Sequence, residues 1–137
     1  MPIVGSLKQR IQLAEREGIL RQRLLWESYT WRIVLPRWFM RLCDLQEGDP
    51  VVIVPVDHHR IILARAPEGV ANAKVAKYDV SRCKVYVPRH ARRFLEEKWE
   101  RGKPLEAILR IVEPGILLIE IEGQGEGEGE REKEGVN

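Results

Sequence analysis

The sequence predicts a mainly β (α+β) fold assembled from two tandem copies of one small unit, and three observations predict it. Arg32-Ile33-Val34-Leu35-Pro36-Arg37 returns 52 residues later as Lys84-Val85-Tyr86-Val87-Pro88-Arg89: a basic residue, three apolar strand formers, proline and arginine. Each proline precedes a short helix-favouring run and then a turn, Gly48-Asp49-Pro50 in the first copy and Gly102-Lys103-Pro104 in the second. Each of these turns is followed by two β-rich segments around a further turn. A duplication at this spacing decides the architecture before any single residue is weighed, and two half-domains on one chain imply a built-in pseudo-dimer.

The elements follow in order. Ser6-Leu7-Lys8-Gln9 has the form of a capping box, so a helix is expected to start there and run to about Arg23, with Gly18 as a weak point. Its apolar residues form two stripes, Leu7, Ile11 and Ala14 on one and Leu13, Leu20 and Leu24 on the other. Residues 24–28 and 31–35 read as strands, with Trp26, Tyr29 and Trp31 supplying β-type bulk. Pro36 cannot continue a central strand but suits a helix start, which predicts a helix over 37–43. Val51–Val56 and Arg60–Arg65 are expected strands around Asp57-His58-His59. In the second copy, strands are expected over 74–79 and 84–87, a helix over 89–99, and a hairpin of 105–112 and 116–121 around Glu113-Pro114-Gly115. This gives an N-terminal helical segment 1–23, a first repeat 24–66, a linker 67–73, a second repeat 74–122 and a tail 123–137. The tail alternates Gly with Glu and buries too little apolar surface to offset its ordering entropy, so disorder is expected there.

With 137 residues and 44% hydrophobic composition, the chain can hold one compact domain and a tail. No apolar run approaches the roughly 20 residues that a bilayer crossing needs, so a soluble, cytoplasmic protein without membrane contact is expected. Its net charge of +2 conceals an asymmetry. Residues 113–137 carry eight Glu against Arg131 and Lys133, a net of −6, which leaves +8 on residues 1–112. A basic body beside an acidic tail argues for a polyanionic partner, of which nucleic acid is the commonest.

The order of strand, basic residue, three apolar strand formers, proline, short helix, Leu-x-x-Gly-Asp, strand, turn and Ile-Ile-Leu strand resembles the AbrB/MazE/SpoVT swapped-hairpin domain. Leu35-Pro36, Leu45-Gln46-Glu47-Gly48-Asp49 and Arg60-Ile61-Ile62-Leu63 carry the likeness in the first copy. Val85-Tyr86-Val87-Pro88-Arg89, Gly102 and Leu117-Leu118-Ile119-Glu120 carry it in the second, and the resemblance spans about residues 24–122. In that family two copies, normally from two chains, exchange hairpins to complete one β-barrel that binds operator DNA. The resemblance therefore implies a swapped-hairpin barrel completed within this one chain and double-stranded DNA as its partner.

Carried over by position, the family's DNA contacts fall on Arg32 and Lys84 before the prolines, on Arg92 and Arg93 in the second helix, on Arg41 in the first and on Lys77, whose counterpart is Leu25. Arg37 and Arg89 recur directly after each proline and join the candidates. The second copy thus has the more complete basic face. Guanidinium groups suit phosphates and guanine edges because they donate two parallel bonds, although phosphate contacts carry no sequence preference themselves.

Other chemistry is weakly signalled. His58-His59 is expected to be a solvated turn pair rather than a metal site, since no further His or Cys stands at ligand spacing. His90 follows Arg89 on the expected helix, and Glu96, Glu97 and Glu100 form a charged helix face. Trp26, Trp31, Trp38 and Trp99 read as packing. Cys43 and Cys83 occupy unmatched repeat positions, which leaves structural thiols or one disulfide open. No catalytic set, cofactor motif or metal site is visible, so the chain is not expected to be an enzyme. The expected function is a nucleoid-associated, AbrB-like DNA-binding transcriptional regulator or chromatin protein. The alternatives are an antitoxin-like or adaptor protein that holds a protein partner through its helix or tail, and a structural barrel subunit without DNA binding; a homo-oligomer through the N-terminal helix is a further expected association.

The tail is tethered to a basic body at an effective concentration that short linkers raise to about millimolar, and is expected to compete with DNA. Truncation after Glu122 is expected to tighten nonspecific DNA binding at low salt; equal titration curves for truncated and full-length protein would reduce the tail to a solubilising appendage.

Overall fold

Gly18 decides where the first helix stops. In the computed structural model, which describes residues 6–125, helix α1 spans Leu7–Glu17. It opens on the expected capping box, in which the Ser6 hydroxyl accepts from the Gln9 N–H at 3.1 Å and the Ser6 N–H donates to Gln9 Oε1 at 2.9 Å. Gly18 adopts φ 70° and its N–H donates to the Ala14 carbonyl at 2.8 Å, a left-handed C-cap that ends the helix six residues before the expected point near Arg23. The next residues form strand β1, Ile19–Glu27, instead of further helix. Leu20 and Leu24, read as a second helical stripe, are barrel core at 1% and 0% exposure, while Arg21 and Arg23 between them face solvent. Leu20 and Leu24, four residues apart, share a face in a strand of period two as they would in a helix of period 3.6.

The remaining elements are β2 (Thr30–Pro36), α2 (Arg37–Cys43), β3 (Pro50–Asp57), β4 (Arg60–Arg65), β5 (Ala73–Lys74), β6 (Ala76–Asp79), β7 (Arg82–Tyr86), α3 (Arg89–Leu95), β8 (Leu105–Glu113) and β9 (Ile116–Gln124). Helix α3 is shorter than expected: after Leu95 the bonds tighten, Glu97 N–H donating to the Phe94 carbonyl and Lys98 N–H to the Leu95 carbonyl, and residues 96–99 become turns. Strand β9 runs past the expected tail boundary because the Gln124 amide is bonded to the backbone of Glu100 at 2.7 and 2.9 Å. The proper cut for a tail truncation is therefore after Gly125. The rest of the predicted disordered tail, residues 126–137, lies outside the described residues.

All strand pairings are antiparallel, in the order β5-β3-β4-β9-β8-β1-β2-β7-β6. The two edge strands are consecutive pieces of one segment, interrupted only at Val75. The Val75 N–H donates to the Asp49 carbonyl and its carbonyl accepts from Gly48. The sheet is thereby a nearly closed barrel, which leaves few open strand edges.

The strand pairings match residues of the two sequence copies at corresponding positions. Across β2 and β7, Ile33 pairs with Val85, flanked by Arg32 with Tyr86 and Val34 with Lys84. Across β4 and β9, Ile62 pairs with Leu118, flanked by Arg60 with Glu120 and Ala64 with Ile116. The outer strands cross over: β1 of the first repeat pairs with β8 of the second, and β5 of the second with β3 of the first. Both long hairpins carry a register shift at the same place, between Pro55 and Asp57 and between Ile111 and Glu113. The inward residues Leu20, Leu24, Trp31, Ile33, Leu35, Ile53, Ile61, Leu63, Leu105 and Leu109 fill one core drawn from both repeats. The buried Trp31 indole N–H donates to the Lys103 carbonyl at 2.8 Å and ties the first repeat to the second.

Gly48 and Gly102, the turn glycines of the sequence repeat, both adopt positive φ, 95° and 86°, with open space where a Cβ would stand. Gly48→Ala and Gly102→Ala are each expected to lower stability by about 1 kcal/mol through backbone strain alone, read as a reduced urea midpoint at unchanged slope.

Candidate nucleic-acid interface

Because β2 and β7 run antiparallel, the helices that follow them, α2 and α3, lie at opposite ends of one two-stranded ribbon. Each helix holds the hairpin turn of the other repeat. The Arg37 N–H donates to the Ser81 carbonyl at 2.9 Å and its guanidinium to the Val80 carbonyl at 3.2 Å. Correspondingly, an Arg92 guanidinium N–H donates to the Tyr29 carbonyl at 2.9 Å. Helix α3 also packs on the β3–β4 turn, where His58 stacks on Phe94 with ring centroids 4.5 Å apart, bonds Glu97 at 3.0 Å and accepts from the Trp99 indole through its carbonyl. The histidine pair thus packs the β3–β4 turn against α3 and the turns that follow it rather than standing free, and no cluster of metal-binding side chains occurs among the described residues.

Between the helices, the outer face of β2, β7 and β6 gathers cations around one ring. Arg32, Arg82 and Lys84 stand over Tyr78 with 4.8, 4.6 and 5.5 Å from charge to ring centroid. Lys84 also bonds the Tyr86 hydroxyl at 3.0 Å, and that bond raises the ammonium pKa. Arg82 donates twice to Asp79, which holds that carboxyl down at about 2. Arg32 is buried, paired with Glu27, and its Nε has no hydrogen-bond partner among the described residues. Tyr78 and Tyr86 were not among the sequence candidates. Tyr86 carried a usable signal, since alternation within the repeated motif places it outward, opposite Arg32.

The eight candidate cations therefore divide into two groups. Arg32, Arg37, Arg92 and Lys84 are engaged: Arg37 pairs with Glu47 at 2.8 Å, and Arg92 approaches Glu96, itself shared with Arg101, at 3.3 Å. Arg41, Lys77, Arg89 and Arg93 are exposed and have no ion pair among the described residues. Arg41 and Arg93 occupy equivalent positions of the two helices, and Arg89 joins Arg93 on α3. The other side of the barrel is neutralised. There Arg21 pairs with Glu122 at 2.7 Å, Arg23 with Glu106 at 2.8 Å and Arg110 with Glu120 at 2.9 Å.

The cysteines carry no chemistry of this kind. Cys43 and Cys83 are free and buried, and burial pushes the Cys43 thiol up to about 12, far from a reactive thiolate.

Arg32→Ala is expected to cost about 1–3 kcal/mol, because it strips the cover from Tyr78 and leaves the half-buried Glu27 unpaired. Arg93→Ala should stay within about 0.5 kcal/mol of the parent, as surface changes do; equal chemical-denaturation midpoints for the two variants would contradict this division. No protein-family model, curated protein or solved structure matches this chain.

Proposed function

We propose that this chain is a DNA-binding protein of the AbrB-like swapped-hairpin class, a transcriptional regulator or nucleoid-associated chromatin protein. The observation that carries the reading is the uneven neutralisation of its arginines. On the β8–β9 side each arginine faces a carboxylate, whereas Arg41, Lys77, Arg89 and Arg93, beside the β2–β7 ribbon, do not. An unneutralised basic surface draws in a polyanion over about a Debye length and then holds it through phosphate contacts. The crossed pairings of β1 with β8 and β5 with β3 support the class, since hairpin exchange between two repeats produces that pattern.

In this reading the residues have different tasks. Arg41 and Arg93, at equivalent positions of the two helices, contact phosphates at the two ends of the ribbon, with Arg89 and Lys77 adding charge on the side of the second repeat. Arg37 and Arg92 position the two hairpin turns. Arg32, Lys84 and Tyr78 form the supporting platform between them. The action is recognition and needs no catalytic group, metal or cofactor. The adaptor alternative, with a protein partner on α1, draws support from Leu7, which is 58% exposed while Ala14 on the same helix is buried.

Electrophoretic or anisotropy titration of duplex DNA tests the proposal. Four phosphate contacts give a log–log salt slope of about −4, so affinity should fall roughly a hundredfold between 50 and 200 mM salt. Arg93→Ala is expected to weaken binding more than Arg41→Ala, because Arg89 and Lys77 give the second repeat the denser basic surface. Arg37 and Arg92 are unsuited to this comparison, since removing either also releases a turn. Absence of binding at low salt would sink the proposal, and equal losses at Arg41 and Arg93 would show a symmetric surface.

A further inference from the structure

The hairpin turn between β1 and β2 is strained, and its strain presents an aromatic ring to solvent. Ser28 and Tyr29 adopt φ 58° and 64°, both in the left-handed region that non-glycine residues avoid. A two-residue turn of this kind favours Asn-Gly, and here it holds Ser-Tyr. The Tyr29 side chain is 75% exposed. The turn is nevertheless firmly anchored: the Thr30 hydroxyl donates to the Val87 carbonyl at 2.6 Å in the interior, and Arg92 donates to the Tyr29 carbonyl.

The corresponding turn of the second repeat joins its strands without this strain. Val80 and Ser81 link β6 to β7 without a positive φ, because the Asp79 carboxylate accepts from the Ser81 N–H at 2.9 Å and relaxes the turn. The two connections therefore differ: the relaxed one follows a register shift between Lys77 and Asp79, whereas the strained one closes β1 on β2 in unbroken register. A strained, solvent-facing aromatic held by rigid supports is the kind of outlier from which function is inferred.

Its surroundings indicate the ligand. Arg92, which holds the turn, lies one helical turn beyond Arg89 and beside Arg93, so exposed cations share the helix that grips the ring-bearing turn. An exposed ring among phosphate-binding cations is the combination that stacks on nucleic-acid bases. We propose that Tyr29 is a base-stacking wedge, which inserts against a base face at a deformable or unpaired step of the DNA. This rests on the DNA-binding reading above. Val80, 85% exposed on the sister turn, offers only an aliphatic tip, so the two halves would engage DNA unequally.

The test uses the full chain and two duplexes of identical length, one fully paired and one with a central mismatch, whose bases leave the stack more readily. The parent should bind the mismatched duplex about tenfold tighter. Tyr29→Ala should abolish that preference, Tyr29→Phe should keep it, and neither should alter the salt slope, because no charge is removed. Tyr29→Gly should also lose the preference while raising Tm by about 4 °C, since glycine relieves the positive φ. Unchanged discrimination by Tyr29→Ala, or a lowered Tm for Tyr29→Gly, overturns the wedge while parental binding to both duplexes leaves the DNA reading standing. Failure of the parent to bind either duplex at low salt overturns both.

Discussion

Neither repeat can satisfy its own strand edges, and the rest of the structure depends on that constraint. The N-terminal part of β1 has no partner in its own half and takes β8; β3 takes β5 in return. Unpaired backbone N–H and C=O groups at a buried edge each cost free energy comparable to a lost hydrogen bond, so the halves must exchange strands to close the barrel. The exchange brings Ile33 against Val85 and Ile62 against Leu118, and the two central ribbons of the barrel follow from those pairings. The helices then have one place each to go, over the hairpin turns of the opposite repeat.

That mutual dependence also sorts the arginines. Arg37 and Arg92 meet a backbone carbonyl of the other half as well as a carboxylate of their own, and become part of the joint between repeats. Arg41 and Arg93, four residues and one residue further along their helices, meet neither. The difference is not one of residue type. It arises because an arginine beside a rigid acceptor stays engaged, while one on the outer face of a seven-residue helix meets no acceptor among the described residues. The same side chain is thus engaged at Arg37 and Arg92 and exposed at Arg41 and Arg93 of the same two helices.

The two hairpin turns between the short strands show the same division at the level of the backbone. In the second repeat Asp79 is held ionised by Arg82 and accepts from Ser81, so the turn closes at little conformational cost. The first repeat has Glu27 at the matching place, already engaged with Arg32, and Ser28 and Tyr29 take left-handed conformations instead. The two corresponding turns thus differ, one relaxed and the other projecting an aromatic ring.

The amino-acid sequence by itself determined the duplication, the strand–proline–helix order, helix α2 over 37–43, strand β4 over 60–65, and the segregation of charge, because each is a local pattern of apolar period, proline or glycine. It also named the basic positions around the two helices. It misjudged Leu20 and Leu24, whose alternation in a strand resembled a helical stripe until β8 was present to pair with them. Only the tertiary structure decided which cations are neutralised, since Glu47 lies ten residues from Arg37 and Glu106 lies 83 from Arg23. Only it joined Tyr78 to Arg32, Arg82 and Lys84, and set Tyr29 out in solvent under the hold of Arg92, 63 residues away. Local periodicity encodes elements, whereas the partner of a charge or a ring is chosen by strand register and barrel closure, which no short window of sequence contains.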